Sequence, residues 1–131
     1  MSGHTEPVPV FGRDFEQLQV FLRDEDGTIS PGRFASVFSL DLTALASAAH
    51  VSMEKLVKTP NDESVQRYLR ESLQITREAT GISQTVERAL FWFKNAPLQP
   101  FDYKTGHELA SEGRTSDVLR YINSLQAGFS G

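Results

Sequence analysis

Apolar residues along this chain recur at helical spacing. Phe15, Leu18, Phe21 and Leu22 stand three and four positions apart, as in a short amphipathic helix, and the charged, turn-rich Arg23-Asp-Glu-Asp-Gly27 follows. From Ser30 onward the signals become regular. Pro31 suits a first helical turn, and Phe34, Val37 and Phe38 form an i, i+3, i+4 set. Asp41 can cap a helix that carries Leu42, Leu45, Ala46 and Ala49 on one face. Asn61 or Asp62 starts the next, whose stripe of Val65, Tyr68, Leu69, Ser72, Thr76 and Ala79 is small and apolar. Arg67, Arg70, Glu71, Arg77 and Glu78 lace its other side. Gly81 is expected to end that helix and Ser83 to cap one with Val86, Ala89, Leu90 and Phe93 on one face. Phe91 and Trp92 extend its apolar surface almost all round, which suits a helix that is central or faces a partner.

Asn95-Ala-Pro97 breaks the pattern. Thr105-Gly-His-Glu108 then matches a capping box, in which the Thr105 hydroxyl and the Glu108 carboxylate each satisfy a backbone N–H. Gly113 can close that short helix. Thr115 or Ser116 opens the last one, with Val118, Leu119, Ile122 and Leu125 inward and Gly128 as a left-handed C-cap. No stretch alternates with period two between turn signals. The expected fold is all-α, with six or seven helices and no internal repeat.

A length of 131 residues suits about one domain, with material for one core. The absence of cysteine removes disulfides and thiolate metal sites and fits a reducing cytosol. No apolar run approaches the roughly 18–20 residues of a membrane span, and the first residues lack the basic-then-apolar order of a signal peptide. The net charge of −4 is unevenly spread. Residues 1–30 hold six acidic and two basic groups, whereas the rest of the chain is balanced. Nonspecific nucleic-acid binding through bulk charge needs a basic chain. DNA binding here would have to come from a local face, multiplied by oligomerisation.

Enzyme chemistry finds little support. His4, His50 and His107 are far apart, and none has a partner at metal-ligand spacing; His107 is expected to be an exposed helix residue. Asp24-Glu25-Asp26-Gly27 opens like a calcium loop but lacks the alternating ligands and the distal glutamate, so it reads as a solvated turn. No phosphate-cradling glycine loop occurs. Neither a catalytic set nor a metal or cofactor site emerges.

Two constellations carry more. In Leu42 to Leu56, Ala46 can sit mid-helix where a second helix crosses closely, His50 falls four residues on at the turn, and Val51 and Leu56 anchor the second helix. That is the spacing of a helix-turn-helix. Glycine is the usual turn residue there, and His is among the less disfavoured substitutes at positive φ. If the unit reads DNA, Ser52, Lys55 and Lys58 are the expected contacts, mostly to phosphate.

The second is Trp92-Phe-Lys-Asn95-Ala-Pro97-Leu98, followed by Phe101, Thr105, Glu108-Leu109, Gly113-Arg114, Val118, Tyr121-Ile122 and Gly128. This string resembles the toxin-binding domain of the Xre/MbcA/ParS antitoxins. There, a tryptophan-bearing helix runs into a proline/asparagine stop, then a short helix, a glycine and a final amphipathic helix. The resemblance covers residues 83–131, with a weaker match to the family's Xre-like helix-turn-helix over 31–80; residues 1–30 match nothing in it. Two departures stand out. The asparagine precedes the proline, and Thr105 is followed by Gly106 where the family pattern has a proline that presets the helical turn.

The resemblance implies an all-α protein with an Xre-like helix-turn-helix region over 31–80 and a toxin-binding domain over 81–131, preceded by the arm or short helix over 1–30 that its own residues suggest. It implies a cytoplasmic bacterial antitoxin, assembled as a homodimer or larger hetero-oligomer with a RES-domain toxin that acts on NAD. The C-terminal region would cover the toxin's active-site cleft through Trp92, Lys104, Thr105, Glu108, Arg114, Tyr121 and the tail Gly128, Phe129, Ser130 and Gly131. The Xre region would repress the shared operon by binding operator DNA. Physically, small residues and a terminal carboxylate could plug a narrow pocket built for an anionic dinucleotide, against the blander expectation of a frayed end. A helix-turn-helix regulator whose C-terminal helices only dimerise it is the competing expectation.

Overall fold

The helical periodicities are realised as eight α-helices and one turn of 3-10 helix across residues 8–130, the part of the chain that the computed structural model describes. These are α1 (Phe15–Leu22), α2 (Pro31–Phe38), α3 (Leu42–Ala49), α4 (Met53–Lys58), α5 (Glu63–Ser83), α6 (Val86–Asn95), the 3-10 turn (Gln99–Phe101), α7 (Gly106–Ser111) and α8 (Thr115–Ser130). The count exceeds six or seven by including α4 and α7, each only six residues long. No strand forms among the described residues; two isolated antiparallel bridges, Arg23 with Ile29 and Leu98 with Lys104, pinch the intervening turns.

Local chemistry sets most helix starts. Asp14, Ser30, Asp41, Ser52, Asp62, Thr85 and Thr105 each turn a side-chain oxygen onto a free backbone N–H in the first turn. Three expectations fail. Helix α5 continues through Gly81 and stops only at Gln84, whose φ is 78°, and Thr85 rather than Ser83 caps α6. Gly81 serves packing instead of termination: a Cβ there would lie 3.1 Å from Gln126 Nε2 of α8. Gly128 is no left-handed cap either, since α8 remains helical through Ser130. Nor does the chain from Gly128 to Ser130 form a loose extended end, because it is the last turn of a helix; Gly131 lies outside the described residues.

Helix α5 is the spine. Its stripe of Val65, Tyr68, Leu69, Ser72, Leu73, Ile75, Thr76 and Ala79 is buried, and α2, α3, α6, α7 and α8 pack against it. Small side chains at 72, 76 and 79 let neighbours approach closely. One core joins all three segments of the chain, and a closed circuit of five rings runs through it. Phe38 stacks on Phe34 at 4.0 Å and meets Phe93 edge-on at 5.5 Å. Phe34 meets Tyr68 at 6.2 Å, and His107 touches both Tyr68 (5.9 Å) and Phe93 (6.1 Å). Four helices, α2, α5, α6 and α7, are thereby tied to one another.

The N-terminal segment is part of this body. Phe11, Phe15, Leu18, Leu22 and Ile29 are buried. Glu87 of α6 accepts backbone hydrogen bonds from Phe11 N (2.7 Å) and Gly12 N (3.2 Å), while Val86 N donates to Gly12 O (2.7 Å). At the other end, the Gln66 amide takes the place of a neighbouring strand for Ile29, accepting from its N–H at 3.0 Å and donating to its carbonyl at 2.9 Å.

Candidate functional site

The stretch from the end of α6 to the middle of α8 is assembled by backbone turns. Helix α6 ends at Asn95, whose side-chain amide donates back to Phe91 O at 3.1 Å, and Pro97 follows. Leu98 N then donates to Lys104 O (2.9 Å) and Tyr103 N to Leu98 O (3.0 Å), folding residues 98–104 into a closed loop. Its tip is a four-residue turn closed by Lys104 N to Phe101 O at 3.1 Å, with Asp102 at φ 58° and Tyr103 at φ 66°. Two consecutive left-handed residues define a type I′ turn, for which Asp-Gly is a favoured pair. Tyrosine in place of that glycine is strained, by about 1–3 kcal/mol for a residue held in a sparsely populated region.

Thr105 and Glu108 form the expected capping box: Thr105 Oγ1 accepts from Glu108 N (3.2 Å) and Glu108 Oε1 accepts from Thr105 N (2.9 Å). Lys104 pairs with Glu112 at 2.6 Å, bracing the turn against the end of α7. Gly106, at the first position of α7, is buried against α6; a Cβ there would lie 3.1 Å from Phe93 Cδ1 and 3.4 Å from Phe93 O. A side chain at 106 would therefore press on the Phe93 ring, which would have to shift to admit it.

Gly113, at φ 80°, turns the chain into α8. Arg114 lies over the Phe101 ring at 5.1 Å and pairs with Asp117 at 3.1 Å, Arg120 pairs with the same carboxylate at 3.1 Å, and Phe101 meets Tyr121 edge-on at 5.8 Å. The hydrogen bond from Arg114, reinforced by that from Arg120, holds the Asp117 carboxyl below the usual carboxylate range. With Ser124, these residues line a shallow hollow of about 390 Å³. Its surface combines aromatic rings and arginines, the side chains most enriched at protein interfaces.

Neither a family model, nor a curated protein, nor a solved structure matches this chain.

Of the expected toxin contacts, Arg114 and Tyr121 line the hollow, and Lys104, Thr105 and Glu108 form the adjoining turn and cap. Trp92 stands apart from the hollow, half-buried on α6 between the fully buried Phe93 and the exposed Phe91. Gly128, Phe129 and Ser130 form the last turn of α8. Phe101, Tyr103, Asp117 and Arg120 were not among the expected site residues. The signal available for Tyr103 was a lone aromatic where a turn between Pro100 and Thr105 calls for glycine.

Against the end of α7, α3 and α4 meet through His50, left-handed at φ 62° as its place in the turn required. Its Nε2 lies 2.7 Å from Ser111 O, an acceptor only, so Nε2 carries the proton and donates. Ser111 Oγ in turn donates to Ala48 O at 2.7 Å. The 3.2 Å approach of Ser111 Oγ to His50 is thus a structural contact, with no free imidazole lone pair to act as base on the serine. The three expected DNA contacts are engaged within the fold. Ser52 Oγ caps α4 by accepting from Lys55 N (3.1 Å), Lys55 pairs with Asp62 (3.3 Å), and Lys58 pairs with Glu54 (3.0 Å).

His107 departs from its expected exposure. It is half-buried among the core rings, and its Nδ1 accepts the Tyr68 hydroxyl. Burial lowers its pKa from the ordinary 6.5, Glu108 opposes that, and Lys94 adds to it. Burial also raises the pKa of Tyr68, keeping the phenol protonated as the donor. Among the described residues no three His, Cys, Asp or Glu side chains gather as a metal site, and no helix is long and apolar enough to cross a membrane.

Proposed function

We propose that this chain is the antitoxin of a type II toxin–antitoxin pair in the bacterial cytoplasm, binding a RES-domain, NAD-degrading toxin and covering its active site. The observation that carries the reading is the surface built by the turn after α6, the capped α7 and the first half of α8. There Lys104, Arg114, Arg120, Phe101 and Tyr121 stand together on a rigid frame. Phe101, Arg114 and Tyr121 among them belong to the string that resembles the Xre/MbcA/ParS antitoxins. Trp92 contributes from α6, and the tail Gly128 to Gly131 enters the toxin cleft. Inhibition would work by occlusion, which needs no catalytic group on this chain.

Co-expression with a RES-domain protein encoded beside this chain tests the reading, with purification and an assay of NAD loss. A stable complex with suppressed NAD consumption is expected; separate elution with undiminished consumption overturns it. Removal of residues 128–131 should then weaken inhibition.

Autorepression is a second activity, supported by the α3–His50–α4 unit. Lys55 and Lys58 would have to exchange Asp62 and Glu54 for phosphates, an inexpensive exchange for the exposed Lys58–Glu54 pair. A dimer would present two such helices. Binding to its own promoter, measured at several salt concentrations, should weaken with salt and show a smaller slope in a Lys55→Ala/Lys58→Ala variant. A helix-turn-helix regulator without toxin binding would show this DNA binding and no effect on NAD loss.

A further inference from the structure

Tyr103 occupies a position that its own fold gives it no reason to hold. It is the second of two left-handed residues in the turn Phe101–Lys104, at φ 66°. Bulky residues there are outliers, whereas glycine adopts this conformation freely. A strained residue persists when its side chain gains something for the fold or when it serves a function. The first explanation is missing here. The side chain is 63% exposed, and among the described residues its hydroxyl has no hydrogen bond and its ring no aromatic or cationic partner. The backbone around it is nonetheless firmly held, by Tyr103 N to Leu98 O, Lys104 N to Phe101 O and the Lys104–Glu112 pair. A rigid turn therefore holds one aromatic side chain out into solvent, two residues from the Phe101 that lines the arginine–aromatic hollow.

We infer that Tyr103 is the anchor residue of the partner-binding surface: its ring enters an apolar slot of the RES-domain protein and its hydroxyl donates to an acceptor at the slot's depth. This rests on the antitoxin reading above and adds the residue that would supply most of its affinity. Tyrosine suits the part, because a large ring with few rotatable bonds loses little freedom on burial, and interface hot spots are enriched in it. The surrounding groups suit a polar rim, with Lys104, Arg114 and Arg120 already braced by Glu112 and Asp117.

The strain supplies the test, because function and stability should move in opposite directions. In Tyr103→Gly the turn receives its favoured Asp-Gly pair, so the thermal midpoint of the free chain should hold or rise. The affinity for the co-expressed RES-domain protein should fall at least about 30-fold, as expected for a hot spot. Tyr103→Phe should keep most of the affinity that the ring supplies. Equal affinity of wild type and Tyr103→Gly overturns the inference while leaving the antitoxin reading intact. Absence of any complex with the wild-type chain removes the antitoxin reading itself. A drop in the thermal midpoint of Tyr103→Gly would show that the ring serves the fold, which also overturns the inference. So would a change from dimer to monomer in the free variant, since the ring would then be seated on a second copy of this chain.

Discussion

At the scale of single residues, the core holds two polar groups whose states can be predicted. His107 is neutral in the folded protein because burial disfavours its imidazolium, and protonation of Nδ1 would also strip the buried Tyr68 hydroxyl of its acceptor. Its folded pKa lies below the ordinary 6.5, so the unfolded chain binds the proton first as pH falls. The stability His107 contributes is complete above about 6.5 and declines below it. Urea midpoints should fall between pH 7.5 and 5, and His107→Asn, which keeps an acceptor for Tyr68 without titrating, should flatten that slope. A separate decline belongs to Asp117, held low by Arg114 and Arg120: its contribution is lost only as pH falls below the ordinary 3.8. The fully buried Ser72 hydroxyl lies beside the Tyr68 phenol and works against burial, lowering the phenol's pKa.

At the scale of elements, Glu87 decides whether the segment before α1 stays on the body. Its carboxylate holds the Phe11 and Gly12 N–H groups, and hydrogen bonds to a charged group contribute about 1.5–3 kcal/mol. Glu87→Ala should cost about that much and open residues 8–13 to limited proteolysis before the rest of the chain unfolds. Nothing in the sequence around Glu87 announces this bond, because its partner lies 76 positions away. The same division runs through the whole fold. Caps at Asp41, Asp62 and Thr105 and the left-handed His50 were legible because each depends on a few adjacent residues. The ends at Gly81 and Gly128 were misread because glycine reads as a stop in the sequence, whereas α5 and α8 run on through it. His107 was misread for a related reason: the cap fixed the helix start, but which face it would bury depended on Tyr68 and Phe93. The hollow around Arg114 was half legible. Arg114 and Tyr121 were named as site residues through a resemblance, while Asp117, Arg120 and Ser124 were not, and the turn that carries Tyr103 depends on hydrogen bonds across residues 98–104.

At the scale of the whole molecule, residues 8–30 are structural despite the acidic, solvent-loving composition of the segment they belong to. Phe11, Phe15, Leu18, Leu22 and Ile29 are buried, and each such side chain contributes about 1.5–3 kcal/mol. Together they rival the whole net stability of a domain, about 5–15 kcal/mol. A chain lacking residues 1–30 should therefore lose its cooperative thermal transition, as followed by circular dichroism, and so should residues 81–131 alone, deprived of α5. The contact between Gly106 and Phe93 bears on how such a molecule can diversify. A methyl group at 106 meets a ring that is fully buried and packed against Phe38 and His107, so that ring would have to give way to admit it. Descendants of this sequence should acquire alanine or proline at 106 more readily once a smaller side chain has appeared at 93. The two positions should tend to drift as a pair, and lineages that keep Phe93 should favour glycine at 106 even where the rest of the surface diverges.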